Sequence, residues 1–468
     1  MHGMHTVEKI GGTSMSQFGD VMNNVIISNR EGVELYNRIF VVSAYGGITN
    51  LLLENKKDGA PGVYGQLAGG GDWLEAFEIL REKMIAYNRS FESIGLDVDA
   101  ADNFINKRLD SILICIKDLT RLHSYGHFPP EDYLPASREI LSSVGEVHSA
   151  YNSTAILKAN GVNAQFIDLS GWMDTDLKDF DDMIHSHFDE IDYTEVLPIV
   201  TGYVKIKDGI MDRFDRGYSE ITFSKIAVIT NACEGIIHKE FHLSTGDPVL
   251  IGLDKVKVIG HLNFDVADQL SDMDMEAIHS KASKEMELHK IPIRVKNVFE
   301  PEHPGTIIEE DYISAEPKAD IICGRNDIVA IEVTDPEMVG SSGYDYHLLE
   351  CLYENDVSYI AKSTNANTIT HIIPEKTHSI DKIIETLTAH FPGARINSCP
   401  VALVSVIGSN MKEPGFLRTA ADALLAANVN VLAVEQTMQQ VNMQFVIDRK
   451  DFDNAQFALH RAFIEEPI

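Results

Sequence analysis

The sequence is poor in cysteine and in basic residues, and it has no long hydrophobic run. Its 468 residues include only 5 cysteines, which are widely spaced and form no C-x-x-C pair. That pattern is typical of reduced thiols in a cytoplasmic protein rather than of a disulfide framework. No stretch approaches the roughly 18 apolar residues of a membrane span. The first residues lack the layout of a signal peptide, so we expect neither a membrane protein nor a secreted one.

Positive charge is scarce. The chain has 39 Lys and Arg residues against 71 Asp and Glu residues, which gives a formal net charge of −32. This balance argues against a nucleic-acid-binding protein, which would need a basic footprint, and against binding to an anionic membrane. The acidic residues are spread along the chain, as on a solvated surface suited to salty conditions. The length predicts two or three domains.

Short apolar runs alternate with helical patterns over the first 310 residues. Strands are predicted at 6–10, 39–43, 163–168 and 196–203. Helices are predicted from Ser16 to about Asn29, from about Thr49, and over roughly 72–94 and 99–124. This alternation predicts the α/β class, with a mostly parallel sheet covered by helices.

The last 150 residues contain an internal repeat. The first copy has a strand at 328–333, a turn at 338–343, a helix at 344–354 and strands at 357–363 and 368–373. The same order recurs at 401–407, 411–415, 416–427, 429–435 and 441–447, with Met411 matching Met338 at an offset of 411 − 338 = 73. Two βαββ units predict two tandem α+β modules, each a sheet with helices on one face. We therefore divide the chain into a catalytic domain and two modules, at 1–315, 320–398 and 399–468.

The first motif is KIGGTS, at the end of the first predicted strand. Gly11 and Gly12 let backbone N–H groups approach an anion, and the hydroxyls of Thr13 and Ser14 follow at the start of a helix. Lys9 would supply the cation for a phosphate group. The motif is not a Walker loop, because the lysine precedes the glycines. A tight turn with a surface lysine explains it equally well.

A second motif, VVSAYGGITN at 41–50, repeats this design of apolar strand, small residues, glycines and helix start. Alone, it is a common β–α turn. Two such turns at the carboxyl ends of neighbouring parallel strands would form one crevice, where ligands bind in open α/β sheets.

Two further motifs are GEVHS at 145–149 and DRGYSE at 215–220. Without context, the first is more typical of a solvated helix that carries Glu146. In the second, Arg216 could hold a carboxylate through two parallel hydrogen bonds. The alternative for this segment is a polar turn with a helix cap.

Together these four segments resemble the aspartate kinases, which have the amino-acid-kinase fold. The family's K-F-G-G-T-S, V-V-S-A-x-x-G-x-T-N and G-E-x-x-S correspond to KIGGTS, VVSAYGGITN and GEVHS, and its G-R-G-G-S-D appears in altered form as DRGYSE. The segment IPIRVKN…PGTII at 291–308 is also similar. The repeat resembles the paired ACT modules that close these kinases. The resemblance runs in order from Glu8 to about Phe463.

This sequence also departs from the family pattern. Tyr218 and Glu220 replace a glycine and an aspartate of G-R-G-G-S-D, and Glu276 replaces the lysine of G-A-K-V-L-H-P. The nucleotide segment appears as IHKEFHLSTGDP at 237–248, where Lys239 is a candidate substitute contact. The phosphate and aspartate side is therefore retained, whereas the nucleotide side is rebuilt. This form resembles the aspartate kinases that accompany synthesis of ectoine, a compatible solute.

The resemblance implies transfer of the γ-phosphoryl group of ATP to the β-carboxylate of L-aspartate, giving 4-phospho-L-aspartate. This is the first step of the aspartate pathway, which would feed ectoine or otherwise lysine, threonine and methionine. No general base is needed, because a carboxyl group with a pKa of about 3.9 is already ionised at neutral pH. Catalysis should therefore consist of positioning and charge neutralisation.

The resemblance also implies roles for individual residues. The transferring phosphoryl group would be held by Lys9, with backbone N–H donors from Gly11, Gly12 and Ser43. The other expected roles are substrate binding by Thr49 and by Glu146 at the α-ammonium group, binding of the α-carboxylate by Arg216, and orientation of Lys9 or approach to the metal by Glu220. Mg²⁺ would bridge phosphate oxygens and keep several waters. The sequence contains no His/Cys cluster with the spacing of a zinc site, so we expect no structural metal.

The paired ACT modules imply at least a homodimer. They also imply an amino-acid effector, such as threonine or lysine, at the turns 335–343 and 408–415. The alternative is that the modules only dimerise. Two other functions remain open: a related amino-acid kinase with another carboxylate substrate, and a non-enzymatic amino-acid sensor of the same architecture. The altered residues Tyr218, Glu220 and Glu276 are what would favour the sensor.

Overall fold

The computed structural model describes residues 3–56, 58–214, 217–271, 273, 275, 278–375 and 380–466. The chain forms two compact units. The first comprises residues 1–242 and 278–310, and the second comprises residues 243–277 and 311–468.

The strands of the described residues are as follows: β1 Thr6–Ile10, β2 Arg38–Val42, β3 Ala164–Ile167, β4 Leu197–Thr201, β5 Glu234–Lys239, β6 His261–Leu262, β7 Ile293–Asn297, β8 Thr306–Ile308, β9 Ile321–Thr334, β10 Ala361–Thr364, β11 Thr368–Pro374, β12 Arg395–Ile407, β13 Val431–Gln436 and β14 Asn442–Asp448. The predicted strands near 6, 39, 163 and 196 are thus confirmed within one or two residues.

The α-helices are as follows: α1 Gly12–Met15, α2 Phe18–Val21, α3 Val33–Tyr36, α4 Ile48–Leu52, α5 Val63–Ala68, α6 Trp73–Ser90, α7 Val98–Ser124, α8 Pro130–Ala159, α9 Phe180–Phe188, α10 Ile210–Phe214, α11 Tyr218–Ile229, α12 Pro248–Ile251, α13 Phe264–Ser271, α14 Ser280–Leu288, α15 Tyr344–Glu354, α16 Ile380–His390, α17 Phe416–Ala426 and α18 Phe452–His460. Helices of the 3₁₀ type occur at Glu92–Ile94, Pro336–Met338 and Arg449–Asp451, and π-helices at Met22–Ile27 and Arg461–Glu465. None of the helices described here is both long and apolar enough to cross a membrane.

In the first unit, neighbouring strands follow the order β3-β4-β2-β1-β5-β7-β8. All neighbours are parallel except β7 and β8, which are antiparallel. Ile10, the last residue of β1, pairs with Val42 on one side and with His238 on the other. The segments that follow β1, β2 and β5 therefore leave the same edge of the sheet. This confirms the predicted α/β class and the adjacency of the two glycine turns.

Two local predictions in this unit are wrong. The helix expected from Ser16 to Asn29 begins earlier, at Gly12, and is broken into α1, α2 and the π-helix. Ser16 follows the end of α1 instead of capping a helix, and its hydroxyl donates back to the Gly12 carbonyl. The helix around Glu146 is not solvated: α8 is buried almost continuously from Leu141 to Leu157, because it passes through the core beside β3 and β4.

In the second unit, six strands form one antiparallel sheet in the order β10-β11-β9-β12-β14-β13. One hydrophobic core gathers around Ile331, Leu352 and Leu387, and another around Phe445 and Leu459. The first core lies within the first copy of the repeat, whereas the second joins the second copy to Ala319 and to Ile322 at the start of β9. The order of elements, β9-α15-β10-β11 and β12-α17-β13-β14, confirms the βαββ pattern. A second helix in each copy, α16 and α18, was not predicted. The strand β12 continues without interruption across residues 398 and 399.

Candidate active site

The two glycine turns contact each other at the carboxyl ends of β1 and β2. A Cβ atom placed on Gly12 would lie 2.5 Å from the carbonyl oxygen of Ala44, so only glycine fits there. In the second turn, Gly47 has a φ of +82°, a left-handed conformation that glycine adopts without strain. The predicted crevice is therefore closed at its base by direct backbone contact.

A small hydrogen-bonded cluster fixes the second turn to the first. The Gly46 N–H donates to Ser16 Oγ at 2.8 Å, and the Tyr87 hydroxyl donates to the Gly46 carbonyl at 2.8 Å. Ser16 Oγ and Tyr87 Oη lie 3.0 Å apart, and the Tyr87 ring stacks on Tyr45 with centroids 4.6 Å apart. Both polar groups of Gly46 are thus held by side chains from α6 and from the end of α1.

Lys9 extends from β1 to the first turn of α11. Its Nζ lies 2.9 Å from Glu220 Oε1, and Glu220 Oε2 accepts a hydrogen bond from the His279 N–H. Burial alone would raise the pKa of Glu220, but the charges of Lys9 and Lys239 lower it to about 2. Glu220 is therefore ionised at neutral pH and holds the Lys9 ammonium group in place.

Glu146 differs from Glu220, because its pKa is raised rather than lowered. It is only 2% exposed, and Ser219 Oγ donates to its Oε1 at 2.7 Å. Its Oε2 is buried and has no hydrogen-bond partner among the described residues. Burial raises the pKa of Glu146 to about 8, although Ser219, the charge of Lys9 and the backbone of Tyr203 act in the opposite direction. The Lys9 ammonium group thus lies near the ionised carboxylate of Glu220 and acts on the protonated carboxyl group of Glu146.

Helix α8 brings Glu146 to the crevice by packing closely on the second turn. A Cβ atom on Gly145 would lie 2.8 Å from the Ala44 Cβ, so the glycine permits this approach. Ser149, one turn further along α8, donates to the Ser43 carbonyl at 2.8 Å. The motif GEVHS therefore supplies a close contact, a buried acid and an anchoring hydroxyl on one helix.

The backbone donors differ from those expected. The Gly11 N–H donates to the His238 carbonyl at 3.3 Å, and the Ser43 N–H donates to the Ile10 carbonyl at 3.2 Å. Both amides are engaged in holding the sheet edge together, and their assignment to phosphate stays a prediction. The amides of Gly12 and the next two residues open α1 and have no acceptor among the described residues.

The remaining predicted residues are placed as follows. Thr49 is half-buried on α4, beyond the second turn. The Ser14 hydroxyl donates to Glu240 Oε1 at 2.7 Å, and Thr13 is exposed. Lys239 ends β5 and acts electrostatically on Glu220. Arg216 and Glu276 lie outside the described residues.

Sequence reasoning missed several residues of this site: Ser16, Tyr87, Ser149, Ser219 and His279. Ser219 precedes Glu220 in the altered motif, and that proximity could have suggested it. His279 acts through its backbone N–H, which no side-chain pattern reveals. Among the residues that the structure describes, no group of three or more His, Cys, Asp or Glu side chains could hold a metal ion.

Comparisons with known proteins agree with this geometry. The amino acid kinase family matches residues 4–297, and an ACT domain matches residues 404–463. The aspartate kinase Ask_Ect of Stutzerimonas stutzeri (strain A1501) is 47% identical over 465 residues, which cover 99% of this chain and 98% of that protein.

Two solved structures share the fold. Aspartokinase III of E. coli in complex with aspartate and ADP (R-state) has a TM-score of 0.74 and 19% identity, covering 97% of this chain and 99% of that chain. The same enzyme in complex with lysine and aspartate (T-state) has a TM-score of 0.70 and 19% identity, covering 97% and 98%. The chain belongs to the amino acid kinase family. Within that family, it is an aspartate kinase.

Proposed function

We propose that this chain transfers the γ-phosphoryl group of ATP to the β-carboxylate of L-aspartate, giving 4-phospho-L-aspartate and ADP. The observation that carries the proposal is the Lys9 ammonium group, held 2.9 Å from Glu220 at the crevice formed by the two glycine turns. A β-carboxylate oxygen attacks the γ-phosphorus, the bond to the β-phosphate oxygen breaks, and no proton needs to move. The residues therefore have to bring two anions together.

Lys9 is placed to accompany the transferring group. Because Glu220 is ionised, its carboxylate holds the Lys9 ammonium group at the crevice. Of the two roles expected for Glu220, this geometry favours orientation of Lys9, since both carboxylate oxygens already accept hydrogen bonds. The free amides at the start of α1 would add donors to the phosphate oxygens.

We propose that Glu146 binds the α-ammonium group of aspartate. Its Oε2 is a buried acceptor without a partner among the described residues, which is the type of group that a ligand cation satisfies. Thr49 and Arg216 keep the substrate-binding roles that the resemblance implies. Binding of an ammonium group would return Glu146 to the ionised state, so substrate binding and proton release are linked.

Mg²⁺ would enter with ATP. The described residues offer no carboxylate cage for it, and Glu220 is committed to Lys9 and His279. The metal would therefore be held by phosphate oxygens and water, where it would neutralise phosphate charge. The nucleotide side of the site would use the end of β5, where Lys239 acts electrostatically on Glu220.

We propose that the ACT modules bind an amino-acid effector and join at least two copies of the chain. Lysine is bound in one of the E. coli structures. In the first module, Asp335 accepts hydrogen bonds from the Tyr344 hydroxyl at 2.8 Å and from the Glu337 N–H, which orders the predicted turn 335–343. In the second module, the turn 408–415 ends at Gly415, whose φ is +118°. The division at 1–315, 320–398 and 399–468 stays a proposal.

The name of the Stutzerimonas relative and the acidic composition support a role in ectoine synthesis. A cytoplasmic location is proposed from the five cysteines, all of which are free thiols. An osmolyte pathway would favour weak feedback, so strong inhibition by lysine or threonine would contradict this part of the proposal.

The test is ATP- and Mg²⁺-dependent formation of aspartyl phosphate, trapped as the hydroxamate with hydroxylamine. Signal with aspartate but not with glutamate is expected, and the Lys9→Ala chain serves as the matched negative. Signal with another carboxylate alone would point to a related amino-acid kinase. Absence of signal in a folded chain that still binds an amino acid would favour the sensor.

A further inference from the structure

A second polar cavity lies in the first unit, away from the crevice. It has a volume of about 380 Å³ and is lined by side chains of β1, β2, β5 and β7, by the π-helix Met22–Ile27 and the segment after it, and by α3. Successive side chains of a strand point to opposite faces of the sheet, so Glu8, which lines the cavity, and Lys9 face opposite ways. We call this space, between Arg30, Arg38, His238 and Lys296, the basic cavity.

At one wall of the basic cavity, charges are fully matched. Arg38 donates to both oxygens of Glu8, at 2.6 and 3.0 Å, and to the carbonyls of Val25 and Ile26. His238 Nε2 lies 2.6 Å from Glu8 Oε2. Burial would raise the pKa of Glu8, but Arg38 and His238 hold it well below its usual range. Glu8 is therefore an ionised structural acid whose two oxygens are already engaged by Arg38 and His238.

The other wall carries two cations, Arg30 and Lys296, and one acid, Glu34. Arg30 Nη1 donates to the Val25 carbonyl at 2.8 Å, and Lys296 Nζ donates to the Pro301 carbonyl at 2.9 Å. Within the described part of the chain, neither cation has a carboxylate within 4.0 Å. Both side chains line the same cavity, so the N–H groups of Arg30 and Lys296 that make no hydrogen bond within the chain can reach one ligand there.

The electrostatics of the two cations agree with this arrangement. Burial lowers the pKa of Arg30, and Arg38 lowers it further. Burial also lowers the pKa of Lys296, and the charges of Arg30 and Arg294 add to that effect. Glu8 and Glu302 act in the opposite direction on both, and Glu34 on Arg30, without cancelling the shift. Repulsion between cations thus persists in a chain whose formal net charge is −32.

We propose that the basic cavity binds a small oxyanion, the carboxylate or phosphate group of a metabolite, between Arg30 and Lys296. An arginine fork matches two oxygens of such a group, and a lysine adds a movable point charge. The volume lies in the range of small-molecule sites. This site is separate from Lys9 and does not rest on the proposed kinase reaction.

The test is calorimetric titration of the full chain with inorganic phosphate and, separately, with malonate, at constant ionic strength. The Lys9→Ala chain is used as the background, so that binding beside Lys9 is removed. Arg30→Gln and Lys296→Gln are each expected to weaken binding at least about tenfold, the loss of one charge-assisted contact. Lys284→Gln, at an exposed lysine of α14, is the matched control and should bind normally.

Binding of phosphate alone would identify a phosphate group, binding of malonate alone a carboxylate, and binding of both a general oxyanion site. Each of these supports the proposal if both variants lose it. No binding of either anion at millimolar concentration, or equal binding by the two variants and the control, would overturn it. Arg38 is left unchanged because removing it would leave Glu8 buried without its partner. Melting temperatures of the variants confirm that each chain is folded.

Discussion

Lys9 on β1 and Glu220 on α11 form an ion pair of 2.9 Å at the edge of the sheet where both glycine turns meet. The carboxylate is fixed in turn by the backbone N–H of His279. The position of the Lys9 ammonium group is therefore set by a strand, a helix and the segment before α14 together. Glu220, which stands where the family motif has an aspartate, thus reaches the Lys9 ammonium group directly.

Removal of the Lys9 ammonium group should abolish turnover. We expect Lys9→Ala to reduce kcat by at least about a hundredfold, because a preorganised charge at the transferring group is lost. The chain should still fold, because Glu220 keeps the hydrogen bond from the His279 N–H, although the loss of its ion-pair partner should lower the melting temperature. Steady-state kinetics and thermal unfolding measure the two effects.

The matched control is Lys225→Ala. Lys225 also lies on the first unit and pairs with Glu285 at 2.9 Å, but away from the glycine turns. Its loss should leave kcat nearly unchanged. Activity of Lys9→Ala above about a tenth of the native value would remove Lys9 from the mechanism.

The raised pKa of Glu146 predicts a pH dependence of substrate binding. If the ionised carboxylate binds the α-ammonium group, the aspartate KM should fall as pH rises from about 6 towards the pKa of about 8. Glu146→Gln should raise the KM and flatten this profile. The profile of KM against pH for both chains is the measurement, and identical slopes would contradict the assignment.

The same group also predicts a trend in the stability of the free chain. The folded chain keeps a proton on Glu146 that the unfolded chain loses near the ordinary pKa of 4.5. This contribution is complete below about pH 4.5 and is lost as pH rises through about 8. Urea unfolding of Glu146→Gln should lack this component, whereas an unchanged pH dependence would show that Glu146 titrates normally.

The cluster around Gly46 predicts a positioning effect. Tyr87→Phe keeps the ring stack on Tyr45 but loses the hydroxyl, and Ser16→Ala removes the acceptor of the Gly46 N–H. Each single variant should lower the free energy of unfolding by about 1 kcal/mol. The double variant should lower it by less than the sum, because both side chains hold the same peptide group.

The functional readout for this cluster is kcat compared with melting temperature. Tyr36→Phe is the control, since the Tyr36 hydroxyl accepts the Asn163 N–H at 3.1 Å elsewhere in the first unit. The control should lower stability by a similar amount without lowering kcat. Equal kcat in Tyr87→Phe and Tyr36→Phe would mean that the cluster only stabilises the fold.

The sequence allowed Lys9, Glu146 and Glu220 to be predicted, because each belongs to a motif whose glycines and hydroxyls are adjacent in the chain. It did not allow Tyr87 to be predicted, since this residue lies 71 positions from Ser16 in an ordinary amphipathic helix. The burial of Glu146 was also out of reach, because it depends on α8 passing through the core. Local patterns specify turns, whereas the partners of a turn depend on packing.

The amides of Gly11 and Ser43 show the same limit of prediction from local sequence patterns. A glycine motif predicts that N–H groups are accessible, but the pairing of β1 with β2 and β5 decides which amides remain free. Gly11 and Ser43 follow directly on strands and continue the backbone hydrogen bonding of the sheet edge. The free donors begin one residue later, at Gly12.

The two adjacent glycines of the first turn should respond differently to a methyl group. On Gly12, the new Cβ atom would lie 2.5 Å from the Ala44 carbonyl oxygen, so Gly12→Ala must push the turns apart. On Gly11, whose φ is −69°, the nearest atom would be the His238 oxygen at an ordinary 3.7 Å. We expect Gly12→Ala to lose about 1–3 kcal/mol of stability and most of its turnover, whereas Gly11→Ala should unfold almost as the native chain does. Urea unfolding of the two variants is the comparison. Equal destabilisation would show that the contact between the turns is not tight in solution, and the crevice would then have to close only when substrates bind.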